Sequence, residues 1–110
     1  MSFLRSILGR MRPARESVEL DPAGQITLRY LLQFGPRTVD DIMQEANGSR
    51  VTPRTEVDAA IAHLVEFGLV EVTPPQEPGQ AQNLYAATPR SSVLRDRIPQ
   101  EPRTVTEFYF

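Results

Sequence analysis

The side chains of this 110-residue chain that could do chemistry are few. They are one imidazole, His63; two adjacent carboxylates, Asp40 and Asp41; a hydroxyl pair, Ser91 and Ser92; and twelve cations, every one an arginine. A histidine needs an orienting carboxylate to act as a base or pH sensor, and Glu66 lies three residues on; on a helix that spacing reads as a solvated surface pair. Asp40 and Asp41 do not work as an acid–base pair, because neighbouring helical residues point in different directions; acids at a helix start serve its dipole instead. Ser91 and Ser92 have no base beside them and read as a cap. Gly79 stands alone, so no glycine-rich phosphate loop is present. With no cysteine and a single histidine, disulfides, thiolate chemistry and His/Cys metal clusters are excluded. No catalytic residue, no metal ligand and no cofactor is expected, and the chain reads as a non-enzyme.

That leaves guanidinium chemistry, the recognition of phosphates and carboxylates. The formal charge of −2 hides an asymmetry. Residues 1–15 hold Arg5, Arg10, Arg12 and Arg15 with no acid, so the remaining 95 residues set 8 arginines against 14 acids, a balance of −6. A basic head precedes an acidic body, and such a body repels phosphate at long range.

The elements positioning these groups follow from periodicity and caps. In the head, Phe3, Leu4, Ile7, Leu8 and Met11 form one stripe of a short amphipathic helix over residues 1–15, with Arg5, Arg10 and Arg12 largely outside it and Pro13 ending it. After a short linker, Asp21-Pro22 opens a helix that runs to Gly35-Pro36, with Ile26, Tyr30, Leu31 and Phe34 as its inward stripe. Thr38 caps a short second helix anchored by Ile42 and Met43 and closed by Asn47-Gly48. Thr52-Pro53 opens a third helix, in which Val57, Ala60, Ile61 and Leu64 recur at helical spacing until Gly68 stops it.

After Gly68 the period changes from 3.6 to 2. LVEV and NLYAAT read as the two strands of a hairpin, joined by the turn-rich TPPQEPGQAQ. The tail, residues 89–110, carries a short helix over Ser91 to Arg97 and a strand-like aromatic end, TVTEFYF. The length suits one domain, with one small core. The predicted fold class is mainly α with a small β-hairpin: a three-helix unit with a two-stranded wing over residues 20–88, flanked by head and tail.

Helix, short helix, longer helix and hairpin in that order resemble the winged helix-turn-helix domains of bacterial and archaeal transcriptional regulators, such as the MarR-like, PadR-like and ArsR-like groups. The likeness rests on YLLQFGPRTVDDIM and TEVDAAIAHLVEFGLVEV and covers about Gln25 to Thr88. It implies that the third helix enters a DNA major groove by its N-terminal half while the hairpin tip touches the neighbouring backbone. Double-stranded DNA is then the implied partner. Its contacts would be Arg50, Thr52, Arg54 and Thr55 from the helix start and Gln80, Gln82 and Asn83 from the wing, with Arg5, Arg10, Arg12 and Arg15 as a basic arm. Arg54 also stands four residues before Asp58, which makes an ion pair an equal alternative.

Two features depart from the family pattern. The outward positions of the third helix, Arg54, Thr55, Asp58, Ala59, Ala62 and Glu66, carry one arginine in the first turn and two acids behind it, and the wing tip from Thr73 to Asn83 contains Glu77 and no arginine. Val65 and Phe67 are apolar where the family is usually polar. An interaction surface is therefore expected from Phe3, Leu4, Leu8, Val65, Phe67, Phe108, Tyr109 and Phe110, taking a homodimer or another protein. The alternative function is a winged-helix interaction module within a larger complex. The head also fits a helix packed on the body or on a partner, a membrane-surface helix or a transit peptide. Apolar runs of at most four residues predict no membrane span, and a cytoplasmic location is expected.

Overall fold

The computed structural model describes residues 17–49, 52–100 and 104–109. In chain order the elements are β1 (Ser17–Leu20), α1 (Pro22–Phe34), α2 (Val39–Ser49), α3 (Arg54–Glu66), β2 (Val70–Thr73), β3 (Leu84–Ala87), a 3-10 turn (Pro89–Leu94) and β4 (Thr106–Tyr109). The three helices and the β2–β3 wing make a winged helix-turn-helix.

Local chemistry sets the helix ends. Asp21 caps α1 by accepting the Gly24 N–H at 2.7 Å, and Pro22 fills the first turn, where no intrahelical donor is needed. Gly35 leaves the helix with φ of 82°, its N–H returning to Leu31 O. The Thr38 hydroxyl accepts the Asp41 N–H at the start of α2. Asn47-Gly48 does not close α2, which continues through Ser49; the Asn47 side chain instead accepts the Thr52 N–H across the turn to α3. At the end of α3, Gly68 at φ 73° lets the Leu69 N–H reach Leu64 O and its own N–H reach Val65 O, two bonds that satisfy the last carbonyls and turn the chain into β2.

The core lies where α1 crosses α2 and α3. Leu28, Leu31, Ile42, Val57, Leu64 and Leu69 are its fully buried aliphatics. The stripe of α1 differs from expectation at one end: Phe34 is half exposed, its ring tilted by 51° against that of half-buried Tyr30 at 5.3 Å between ring centroids, while Leu28 takes the central position. On α2, Ile42 and Ala46 are the buried anchors and Met43 packs at the edge.

The wing strands pair antiparallel with Val70 opposite Ala87 and Thr73 opposite Leu84. Arg37 adds a bridge to Tyr85, exchanging both backbone hydrogen bonds, so the α1–α2 turn steadies the wing's base. The linker before α1 is itself a strand. β1 pairs antiparallel with β4, Ser17 facing Tyr109 and Leu20 facing Thr106, and the pair brings Val18, Leu20 and Phe108 into the core. Phe108, expected on an interaction surface, is only 4% exposed. Strand alternation explains it: with Tyr109 turned outward, its neighbour must turn in. The tail helix is a 3-10 turn whose Leu94, with Ile98 beyond it, joins the same core. Ser91 is buried and bonds to Thr88 O. Among the described residues no helix is long and apolar enough to cross a membrane.

Candidate nucleic-acid interface

The α3 start and the wing tip converge beside α2. Thr52 and Pro53 enter α3 without a side-chain cap, and Thr52 is buried at 3% exposure, its N–H held by Asn47. Thr52 is therefore part of the turn's packing and not an outward DNA contact. Arg54 and Thr55 are exposed in the first turn. The Arg54 guanidinium lies 3.8 Å from the Asp40 carboxylate of α2 and 3.7 Å from Asp58 one turn along α3. All three side chains are more than half exposed, so each ion pair contributes about 0–1 kcal/mol and a competing anion can displace it.

Asp40 does more than serve the α2 dipole. Its other oxygen accepts the Gln82 side-chain amide of the wing at 2.5 Å, so one carboxylate braces the wing and α3 together. The contact joins residues 42 apart, and no local pattern announces it. Gln80 is likewise engaged, donating to Gln82 O and facing the Gln76 N–H. Of the three wing residues expected at DNA, Gln80 thus spends its hydrogen bonds within the wing and Gln82 donates across to α2, while Asn83 is exposed. Arg5, Arg10, Arg12, Arg15 and Arg50 lie outside the described residues, as do Phe3, Leu4, Leu8 and Phe110.

His63 does not pair with Glu66. Its Nε2 lies 3.1 Å from Glu19 O of β1, and its ring meets Phe67 edge-on at 4.6 Å. This partner lies in β1, 44 residues away, and no local spacing announces it. Val65 and Phe67 are exposed at 38% and 37%. Val65 lies on α3 whereas Phe67 is the residue that caps its end, and two positions apart along a helical path they are rotated by about 200° and point in different directions. Tyr109 is exposed on the outer face of β4.

Neither a protein-family model nor a curated protein sequence matches this chain. Solved structures do. AdcR, the adhesin competence repressor of Streptococcus pyogenes, aligns with a TM-score of 0.61 at 18% identity over 87% of this chain and 65% of its own. ZitR of Lactococcus lactis, solved in complex with DNA, aligns at 0.59 and 15% identity over 91% of this chain and 70% of its own. BpsR of Bordetella bronchiseptica, whose DNA binding is regulated by 6-hydroxynicotinic acid, aligns at 0.60 and 19% identity over 87% of this chain and 64% of its own. The chain spans less than two thirds of the length of AdcR and BpsR. At such identities the likeness carries the fold: the chain is built as a winged helix-turn-helix protein, similar in structure to MarR-like regulators.

Proposed function

We propose that this chain is a small winged-helix DNA-binding protein that regulates transcription in the cytoplasm, as a homodimer and without catalysis. The winged unit, residues 20–88, does the reading, and the basic head, residues 1–15, supplies an arm. The observation that carries this reading is the exposed first turn of α3, where Arg54 and Thr55 stand outward and Asp40 links Arg54 to Gln82 of the wing, the arrangement in which a helix start meets base edges and phosphates. The weak ion pairs of Arg54 leave it available for an anion.

The second reading, a winged-helix module that binds protein, is favoured by one observation. Asp40 and Asp58 flank Arg54, so the local charge at the helix start is negative even with the guanidinium present. Titration of the full chain against mixed duplex DNA at two salt concentrations separates the two. Arg5, Arg10, Arg12, Arg15, Arg50 and Arg54 together neutralise at most about six phosphates, for a log–log salt slope no steeper than about −5. Arg54→Ala is expected to weaken binding and flatten the slope by about one. No affinity for any duplex at ~50 mM salt, where the phosphate contribution is strong, overturns the DNA reading in favour of the module.

A further inference from the structure

A groove runs along the flank of α3 opposite Arg54. Ala59 and Ala60 of α3 and Gly24 of α1 line it, Glu19 and Asp21 stand at its rim, and exposed Val105 and His63 complete it, around a volume of about 310 Å³. That is the low end of the range of about 300–1,000 Å³ seen for ligand pockets, and this one is open to solvent, a shape that accepts a chain segment more readily than it encloses a molecule. We propose that this groove is the docking site of the chain's own basic amphipathic head, residues 3–11, bound in cis.

Three observations select that occupant. The first is position: Glu19 at the rim lies in β1, whose first residue Ser17 is only two residues earlier, so the chain leaves the described structure beside the groove. Five residues, Arg12 to Glu16, span at most about 17 Å when extended, which brings the Phe3–Met11 stripe within reach. A tether this short holds the segment at an effective concentration of about millimolar, a large advantage over any free partner. The second is charge. Among the described residues the groove's lining contains two carboxylates and no lysine or arginine, whereas the head carries four arginines and no acid through residue 15. The third is apolar match: Val105 and the alanines offer a hydrocarbon surface, and Phe3, Leu4, Ile7 and Leu8 form a stripe that water disfavours. Docked by that stripe, the head directs Arg5, Arg10 and Arg12 outward next to α3. The inference stands apart from the DNA reading, since a head held on this flank, across α3 from Arg54, is not free to act as an arm until it is released.

The absence of cysteine makes the test direct. Ala59→Cys in the full chain introduces a single thiol at the groove, and its rate of maleimide labelling reports occupancy. With the native head, labelling is expected to be about tenfold slower than in the same chain carrying Ile7→Ser and Leu8→Ser. Glu19→Arg is expected to raise the rate several-fold, while Glu71→Arg, outside the groove, leaves it unchanged. Equal rates with and without the head substitutions overturn the proposal. Protection that grows with protein concentration, alongside a dimer mass by light scattering, also overturns it by assigning the groove to a second copy. Should Ala59→Cys disturb packing, mild oxidation of a Leu8→Cys, Ala59→Cys chain provides an independent reading. A monomeric disulfide is expected there and none in a Leu8→Cys, Ser92→Cys chain; no cross-link, or equal cross-linking in both, overturns docking.

Discussion

Among the described residues two antiparallel strand pairs of equal length play opposite roles. The wing, β2 and β3, is joined by its own ten-residue tip; its β3 residues are half-buried and Val72 is exposed. The terminal pair, β1 and β4, joins residues near opposite ends of the chain, and Val18, Leu20 and Phe108 fill the core from it. A strand pair formed locally can project from the body, because its turn sets the register and a few outside contacts, here Arg37 with Tyr85 and Asp40 with Gln82, steady it. One formed between distant segments must recover the cost of closing a long loop, and burial of large apolar side chains offsets it.

The strongest way to break this contrast is to delete core volume from one pair and surface from the other. Phe108→Ala is expected to destabilise the protein by about 3–5 kcal/mol, as for a buried aromatic, whereas Val72→Ala should cost less than about 1 kcal/mol. Urea unfolding of the two variants checks the ranking, and equal losses would dissolve the distinction.

A smaller effect is expected at Gln25, which is fully buried in α1 and donates its amide to both Leu20 O and Thr104 O, tying β1 to the approach of β4. Gln25→Leu leaves both carbonyls without that donor and should cost about 1–3 kcal/mol. Hydrogen exchange should then rise in β1 and β4 before it rises in β2 and β3. On the wing side, Gly68→Ala meets no close atom, the nearest lying at 3.9 Å, so its cost is the positive φ alone, about 1–2 kcal/mol.

The smallest effect is a titration at an exposed side chain. The Glu107 side chain, by hydrogen bonding and by its charge, raises the Tyr109 phenol above the ordinary tyrosine value on the exposed face of β4. Glu107→Gln is expected to shift the absorbance midpoint of Tyr109 downward, and an unchanged midpoint would mean that the two side chains do not meet.

Much of the winged unit was legible because its signals are local. Asp21-Pro22, Thr38 and Gly68 mark ends through bonds made within a few residues, and Val57, Ala60, Ile61 and Leu64 declare the inner face of α3 by spacing. Asn47-Gly48 misled for the same reason in reverse: a turn-like pair stays helical when the Asn47 side chain finds a partner in the next segment. The candidate interface was legible in its location and less so in its chemistry. Arg54 beside Asp58 follows from i, i+4 spacing, but Asp40, which meets Arg54 and Gln82 at once, is set only when α2, α3 and the wing come together.

The residue order by itself determined the three helices, the helix-to-wing switch at Gly68, the exposure of Arg54 and the separation of a basic head from an acidic body, since each depends on neighbours within one or two turns or on composition alone. Only the tertiary structure decided that Ser17–Leu20 is a strand, that Phe108 is core and Tyr109 surface, that Thr52 is buried, and that His63 faces Glu19. Those outcomes depend on which distant backbone edge is nearby to pair with, and on which face of a four-residue strand then meets the core, information that no local period contains.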